Sequence, residues 1–241
     1  MTRFFVSPEE LSGNVIQLTG ENAKHAKVLR LKAGEQVLIC DGQASECLCA
    51  VEDLAEQVLV RVLERRVSET EAAVQVSVYM AFPKAEKLEH VIQKATELGA
   101  YEIIAFPSAR CISKPDEKSL AKKLERWQKI AASAAEQSGR GRIPQVLTLP
   151  SYKAALERAA QADKPLLFYE NERATTLRMA LEGAYQTVSL LTGPEGGLEE
   201  KEVQQALAAG LQVCTLGKRI LRCETAPLCA LSAVMYDAGE F

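Results

Sequence analysis

Two glycine-rich segments late in the sequence place arginine and carboxylate side chains beside turns. The first, residues 189–200, reads SLLTGPEGGLEE, and the second, residues 216–231, reads LGKRILRCETAPLCAL. In each, a short apolar run typical of a strand leads into glycine and then into a helical pattern. Backbone amides beside glycine can approach a ligand closely, and strand-to-helix turns of this kind bind cofactors in α/β proteins. The two turns are therefore predicted to line one ligand site, bound mostly through main-chain atoms.

The same glycines are also compatible with turns that bind nothing. GPEGG matches neither the phosphate-binding loop GxxxxGK[ST] nor the dinucleotide fingerprint GxGxxG. The charged residues Arg219, Arg222 and Glu224 are compatible with a solvated turn. Glu224 would favour the positive end of a helix predicted to begin near Thr225, with Thr225 as its cap and Pro227 in its first turn. On the residues alone, a ligand site and a purely structural pair of turns both stay open.

The two segments resemble the signature of the SPOUT class of RNA methyltransferases, and within it the bacterial small-subunit ribosomal RNA uracil-N3 methyltransferase family. Cys223 departs from the pattern, since the family more often has threonine there, and His25 is not followed by the ring often seen at the next position. The resemblance covers essentially the whole chain. Three further blocks are similar and follow in the expected order: 25–41 (HAKVLRLKAGEQVLICD), 84–99 (KAEKLEHVIQKATELG) and 124–144 (LERWQKIAASAAEQSGRGRIP).

This resemblance implies S-adenosylmethionine as the cofactor, held in a bent form by knotted loops. Backbone groups would bind its adenine, ribose and carboxylate, apolar side chains would enclose the base, and the strand end 166–170 would add another wall. Backbone hydrogen bonds between apolar walls suit an adenine ring. The cofactor-binding residues that we expect are Leu191, Thr192, Gly193, Gly196, Gly197, Leu216, Gly217, Ile220, Leu221 and Thr225.

Methyl transfer to uracil N3 would place two demands on the protein. The base must be unpaired, because the N3 hydrogen occupies the pairing edge, and some group must take that proton or stabilise charge on O2 and O4. Glu195 or Glu224 would act as the base, and Arg110, just beyond a predicted strand at 103–106, would stabilise the anion or bind an RNA phosphate. Alternatively, Glu195 braces its loop and Glu224 caps its helix. The candidate catalytic residues are Glu195, Glu224, Arg110 and Arg222.

The elements that must position these residues change character near residues 66–73. Before this boundary short β-type runs dominate, with one helix around 21–29, which indicates a small β-barrel. After it strands alternate with helices, which indicates an α/β fold with a parallel sheet and helices on both faces. The predicted strands are 15–18, 36–40, 45–51, 57–67, 74–81, 103–106, 166–169, 188–191 and 213–216, and the predicted later helices are 87–98, 117–137 and 175–181, with two more from 199 and 225.

Domain boundaries follow from this pattern, and the resemblance adds their type. We expect residues 1–70 to form one domain and residues 73–241 the other, joined by the short connection 68–71. The resemblance implies that the first is a PUA-like RNA-binding β-barrel. It implies that the second is a SPOUT methyltransferase domain with a deep trefoil knot that binds S-adenosylmethionine.

The charge balance limits how the chain can bind nucleic acid. A net charge of −3 argues against indiscriminate binding, so an RNA surface must be a local patch of cations. The stretch 139–142, GRGR, suits a mobile loop whose two guanidiniums fork onto phosphates. The predicted RNA-binding residues are Arg3, Lys24, Arg30, Lys32, Arg140 and Arg142, with Lys27, Arg110 and Lys114 as further cations.

Cysteine usage and hydropathy bear on compartment and metal content. The seven cysteines form no CxxC pair and have no histidines at zinc spacing, so we expect reduced, mostly buried thiols and no metal. Cys47 and Cys49 would face the same side of a strand, which favours a place in a core. No apolar run is long enough to span a bilayer, and the start MTRFFVSPEEL lacks the apolar centre of a signal peptide. A cytoplasmic protein without membrane contact is expected.

Partners and rival functions follow from the resemblance. It implies small-subunit ribosomal RNA, or the 30S subunit, as substrate, and a homodimer in which the partner's surface completes each site. The apolar stripe Leu228, Leu231, Val234 and Met235 suits either such an interface or an intrachain core. Two other functions stay open: a noncatalytic RNA-binding or ribosome assembly protein, and a SPOUT methyltransferase acting on a ribose 2′-oxygen or on guanine. The block QSGRGRIP favours the uracil family.

Overall fold

The computed structural model describes residues 1–55, 57–112 and 115–241, with the side chains of all of these except Glu117. Lys114, one of the cations considered for an RNA surface, lies outside the described residues. The chain divides into two compact units. The first comprises Met1–Glu71 and Ala135–Ile143, and the second comprises Ala72–Ala134 and Pro144–Phe241.

The first unit is built on a curled five-stranded sheet in the order β1-β3-β4-β5-β2. β1 runs parallel to β3, and the other neighbours are antiparallel. The pairing of β4 with β5 shifts register twice, at Leu48/Cys49 and at Val51/Asp53, and such bulges bend a sheet. Its elements are β1 (Arg3–Phe5), α1 (Pro8–Leu11), β2 (Val15–Leu18), α2 (Gly20–Val28), β3 (Gln36–Cys40), β4 (Ser45–Asp53) and β5 (Val58–Val67).

The core of the first unit takes alternate residues of these strands. Cys47, Cys49 and Val51 follow one another at every second position of β4, and all three are buried. This confirms that the Cys47 and Cys49 thiols belong to a core. They pack with Phe4, Ile16 and Ile39 in one hydrophobic cluster.

The second unit is an α/β structure around a six-stranded, wholly parallel sheet in the order β11-β9-β10-β6-β7-β8. The predicted alternation of strands and helices and the parallel sheet are confirmed. Its elements are β6 (Gln75–Ala81), α3 (Lys87–Glu97), β7 (Glu102–Phe106), α4 (Glu117–Ser138), β8 (Gln145–Thr148), α5 (Tyr152–Ala159), β9 (Lys164–Phe168), α6 (Leu177–Ala180), β10 (Thr187–Thr192), α7 (Glu200–Ala208), β11 (Gln212–Cys214) and α8 (Thr225–Asp237). The last residues of α4, from Ala135 on, belong to the first unit.

The apolar sequences of the central strands and of α8 correspond to buried positions. Every residue of β7 is buried, as expected for a parallel strand covered on both sides. The apolar stripe of α8 joins the same core: Leu231, Val234 and Met235 are buried, and α8 packs against α3, β6 and β10. These three residues are therefore intrachain core, which is one of the two alternatives that the sequence left open, while Leu228, the fourth residue of the stripe, is half-buried.

Several short elements were missed by the sequence prediction. β1, α1 and β8 have three or four residues each, too few to establish a period of 2 or 3.6. α5 was also missed, although Ser151 caps it by accepting a hydrogen bond from Ala154 N. The expectation that Thr225 caps α8 is wrong, because Thr225 is the first helical residue and Glu224 holds the cap position. Within the described ranges, no helix is both long enough and apolar enough to traverse a bilayer.

Candidate functional site

The carboxyl ends of four neighbouring strands of the second unit meet at a cleft of about 420 Å³. Small-molecule sites in proteins have volumes of this order and favour this edge of a parallel sheet. Four segments line it: the turn after β10, the segment after β11, the residues that end β9, and the first residue of α3. Both glycine-rich segments thus contribute to one site.

Most of the residues expected to bind a cofactor lie on this cleft. Leu191 is instead buried within β10, and among the described residues Thr225 is not part of the lining, where its neighbour Ala226 takes its place. The strand end 166–170, expected as a further wall, contributes Phe168, Tyr169 and Glu170. Those on the lining are Thr192, Gly193, Gly196, Gly197, Leu216, Gly217, Ile220 and Leu221.

Atoms from other residues lie close to the backbone of each of the three glycines in the first turn. A Cβ on Gly193 would lie 3.0 Å from Leu198 Cγ, and one on Gly196 would lie 3.2 Å from Arg110 Cβ. Gly197 has φ of +69°, and its Cβ would stand 2.5 Å from Glu170 Oε1. Packing of the chain itself is therefore tight around Gly193 and Gly196, whereas at Gly197 it is the positive φ that favours glycine, because the Glu170 carboxylate is the flexible end of a side chain.

Two carboxylates that were candidate bases share a single lysine. Lys87 Nζ lies 3.1 Å from Glu195 Oε1 and 3.1 Å from Glu224 Oε2. Glu195 Oε1 also accepts a hydrogen bond of 3.0 Å from Lys84 N, which is a contact of the bracing kind considered as the alternative to a catalytic base. Glu224 holds the cap position of α8, but its side chain makes no capping hydrogen bond.

These contacts set the charges of the cluster. Burial raises the pKa of the Glu195 carboxyl, but hydrogen bonds from its own N–H, from Lys84 N–H and from Lys87 outweigh it, and the pKa falls below its ordinary value. The pKa of Glu224 is lowered in the same way, against burial, by its own N–H and by Lys87. Hydrogen bonds to the two carboxylates raise the pKa of Lys87. Burial raises the pKa of the adjacent Cys223 thiol to about 12. At neutral pH the cluster holds two carboxylates, one ammonium and a neutral thiol.

The two candidate catalytic arginines occupy different places. Arg110 Nη1 donates a 2.9 Å hydrogen bond to Gly196 O, and Ala109 N beside it donates a 2.8 Å bond to buried Glu202. Arg110 is therefore fastened to the glycine turn and is absent from the described lining of the cleft. Arg222 is exposed and does line the cleft.

The cations expected to bind RNA divide by their surroundings. Arg3 is 7% exposed, and its guanidinium donates a 2.8 Å hydrogen bond to Glu46, so it offers little surface to a phosphate. Lys24, Arg30 and Lys32 are exposed, as an RNA contact requires. Lys24 also pairs with Glu21 at 2.8 Å.

The stretch 139–142 does not have the free, forked geometry expected of it. Arg140 is 4% exposed, and its Nη2 lies 2.6 Å from Glu71 Oε2. Gly141 N and Arg142 N both donate to Glu71 Oε1, at 2.9 and 3.0 Å. One carboxylate thus fastens the segment within the first unit, whereas the sequence pattern had placed both arginines in the second domain.

The cysteines and acidic residues give no sign of a metal centre in the described parts of the chain. Six cysteines are buried and Cys229 is exposed, and all seven are free thiols. No group of three or more His, Cys, Asp and Glu side chains is placed to hold an ion among the residues searched. The expected absence of a metal stays a prediction.

Comparison with known proteins bears on both units. Residues 70–235 match the model of a family described as RNA methyltransferase domain, and residues 18–63 match the RNA methyltransferase PUA domain. The ribosomal RNA small subunit methyltransferase E of Bacillus subtilis is 38% identical to the chain, over 98% of this chain and 97% of that protein. The chain belongs to the ribosomal RNA small subunit methyltransferase E family.

Other members of the methyltransferase E family agree in sequence and fold. The relative from Synechocystis is 34% identical over 96% of this chain and 76% of its own length. A crystal structure of the methyltransferase E of Neisseria gonorrhoeae, bound to S-adenosyl methionine, superposes with a TM-score of 0.87. It is 35% identical and covers 98% of this chain and 97% of that one. The family fold, with its PUA-like first unit, is thus present here.

Among the charged residues on the cleft of this methyltransferase, four were not named as site residues: Lys87, Glu170, Arg173 and Arg219. Two of them were anticipated less specifically, since the strand end 166–170 was expected as a wall and Arg219 was noted beside the second glycine turn. Lys87 begins α3 after β6, and Glu170 follows β9 by two residues. Their strands flank β10, which carries the glycine turn. The signal that could have found them is the rule that ligands bind beyond the carboxyl ends of adjacent parallel strands, combined with the strand order. The strand order itself cannot be read from glycine spacing.

Proposed function

We propose that this methyltransferase transfers a methyl group from S-adenosylmethionine to N3 of a uridine in 16S ribosomal RNA of the small subunit, during ribosome maturation. The observation that carries the proposal is the cleft, where the two glycine-rich segments resembling the uracil-N3 family signature come together. Their convergence favours a cofactor site over a pair of unrelated structural turns.

The lining fits S-adenosylmethionine in size and chemistry. A volume of about 420 Å³ suits a nucleoside with an amino-acid tail. Leu216, Ile220 and Leu221 provide apolar walls for adenine, while the glycine turns offer backbone donors and acceptors. Glu170, exposed beside Gly197, provides a carboxylate for hydroxyl or ammonium donors. When bound, the cofactor supplies an electrophilic methyl group on a sulfonium.

Methylation of uracil N3 requires that the N3 proton leaves and that the negative charge of the deprotonated base is stabilised. A guanidinium on the cleft suits stabilisation of negative charge on O2 or O4, and Arg222 is exposed there. Arg110 would act on the reaction through the glycine turn to which it is bonded. Glu195 and Glu224 have the chemistry to accept the proton, but Lys87 holds both as ion pairs.

The domains would divide the work. We assign RNA docking to the PUA-like domain, residues 1–70, through exposed Lys24, Arg30 and Lys32, with Arg142 adding a cation close to it. Catalysis belongs to residues 73–241, as a SPOUT domain with a deep trefoil knot. We further propose a homodimer that acts in the cytoplasm on the 30S subunit or its RNA. These assignments follow from the family resemblance, and exposure of the three cations supports the first of them.

The test is transfer of labelled methyl from S-adenosylmethionine to unmethylated small subunits and to naked rRNA, followed by nucleoside digestion. Labelled N3-methyluridine is the expected product. A methylated ribose or guanine would contradict the uracil assignment and favour another SPOUT activity. Cofactor binding without any transfer to either substrate would favour a noncatalytic assembly protein.

A further inference from the structure

Lys87 connects two loops that come from different strands. Its Nζ lies 3.1 Å from Glu195 in the turn after β10 and 3.1 Å from Glu224 in the segment after β11. Cys223 Sγ, next to Glu224, lies 3.7 Å from the same nitrogen. These two loops carry the predicted cofactor-binding residues on both sides of the cleft.

The position of Lys87 is fixed by the turn that precedes α3. Ala85, two residues earlier, has φ of +54°, a left-handed conformation that residues with a Cβ rarely adopt. In the same turn Lys84 N donates to Glu195 Oε1 at 3.0 Å. The Lys84 backbone and the Lys87 side chain therefore both hold Glu195, and the Lys87 side chain extends the connection to Glu224.

The cluster is partly shielded from solvent. The side chains of Lys87 and Glu195 are each 28% exposed, and that of Glu224 is 22% exposed. Ion pairs in such surroundings are screened less than pairs on an open surface. Backbone N–H groups and the Lys87 ammonium together keep both carboxylates ionised, and a carboxylate stabilised in this state by hydrogen bonds is a weak proton acceptor.

We propose that Lys87 is a positioning residue of the methyl-transfer site: it holds the glycine turn and the start of α8 in one arrangement through Glu195 and Glu224, and neither carboxylate serves as the base. This inference rests on the proposed function. The first residue of α3, which belongs to neither glycine-rich segment, would then set the distance between the two segments.

Cofactor affinity gives the first test, by calorimetric titration with S-adenosylmethionine. Lys87→Met should weaken binding about tenfold or more, because displaced loops lose their preorganised geometry. Lys87→Arg should retain most of the affinity, since it keeps the charge. The matched control is Lys94→Met on the same helix, whose lysine pairs only with Glu97 within α3 in the described contacts. Equal affinity in Lys87→Met and wild type overturns the inference, whereas no binding by wild type would instead overturn the proposed cofactor.

The second test asks whether Lys87 acts through its two partners. In a Glu195→Gln/Glu224→Gln background, adding Lys87→Met should cost little further affinity, because coupled residues are not additive. The double variant should raise KM for the cofactor more than it lowers kcat, and should leave the acid limb of the kcat pH profile unchanged. If either single Gln variant abolishes kcat while cofactor affinity stays intact, that carboxylate is the base and the inference is wrong.

Discussion

The cleft of the second unit and the polar clusters of the first unit use charge in different ways. Around the cleft, glycines at 193, 196 and 197 admit neighbouring side chains, and the ion pairs of Lys87 are about one quarter exposed. In the first unit, Glu46 is 3% exposed and accepts hydrogen bonds from both Arg3 and Arg66. The charged groups near the cleft are accessible to a ligand, whereas Glu46 and Arg3 are buried and paired with each other.

The comparison teaches how to interpret arginine in this chain. Arg3 contacts the carboxylate of Glu46, and Arg222 lies two positions before Glu224 in the sequence. Of these two arginines, Arg3 is buried and Arg222 lies on the open cleft. A guanidinium that is buried against a carboxylate, as that of Arg3 is, stabilises the fold and offers a phosphate little accessible surface. Exposure, rather than charge, separates the two roles.

The largest expected effect is on the buried pair of the first unit. Glu46→Gln leaves the Arg3 guanidinium buried without its counter-ion, so the free energy of unfolding of this unit should fall by about 3 kcal/mol. Hydrogen exchange of β3, β4 and β5 amides measures it, while fluorescence of buried Trp127 reports on the second unit and should not change. The control is Glu52→Gln on the same strand, whose partner Arg61 is 58% exposed. Equal protection in both variants would refute the distinction.

The pH dependence of the same pair sharpens this prediction. Burial raises the pKa of Glu46, but hydrogen bonds from Arg66 and Arg3 outweigh it and lower the pKa from 4.5. The Glu46 carboxyl therefore has a lower pKa in the folded unit than in the unfolded chain, where it is near 4.5, so its ionised form stabilises the unit fully above about pH 4.5. This stabilisation is lost as the pH falls from 4.5 through the folded-state pKa. Glu46→Gln should remove that acid-dependent loss.

The next largest effect concerns the glycine turn. Gly197→Ala would force φ of +69° on alanine, which costs about 1–2 kcal/mol, and would press its Cβ against Glu170. Cofactor affinity should fall about tenfold or more, equivalent to about 1.4 kcal/mol, as titration would show. Gly210→Ala is the matched control, since its φ is +93° but no atom lies within 4 Å of the new Cβ. Affinity at the wild-type level in Gly197→Ala would rule out this turn as a cofactor contact.

The glycines and the arginines also show what a sequence can reveal. The spacing in GPEGG, after a β-type run, encodes local backbone shape, so the turn and its place at a strand end were predictable. The partner of a cation is set by distant folding: Glu71 lies 69 positions from Arg140, and no local pattern links them. Lys87 was missed for the same reason, since its partners follow it by more than 100 positions. Backbone constraints are local, whereas ion pairs depend on the complete fold.

The smallest expected effect is on RNA binding by the exposed cations of the first unit. Lys32→Gln should leave unfolding unchanged, because Lys32 is exposed and its charge is solvated. If its ammonium contacts a phosphate, the slope of log K against log salt for small-subunit RNA should decrease by about 1. Arg140→Gln should behave in the opposite way, with lower stability of the first unit and, where that unit remains folded, an unchanged slope. A reduced slope in Arg140→Gln together with unchanged stability would show that this buried arginine reaches the RNA after all, and would remove exposure as the criterion that separates the two kinds of cation.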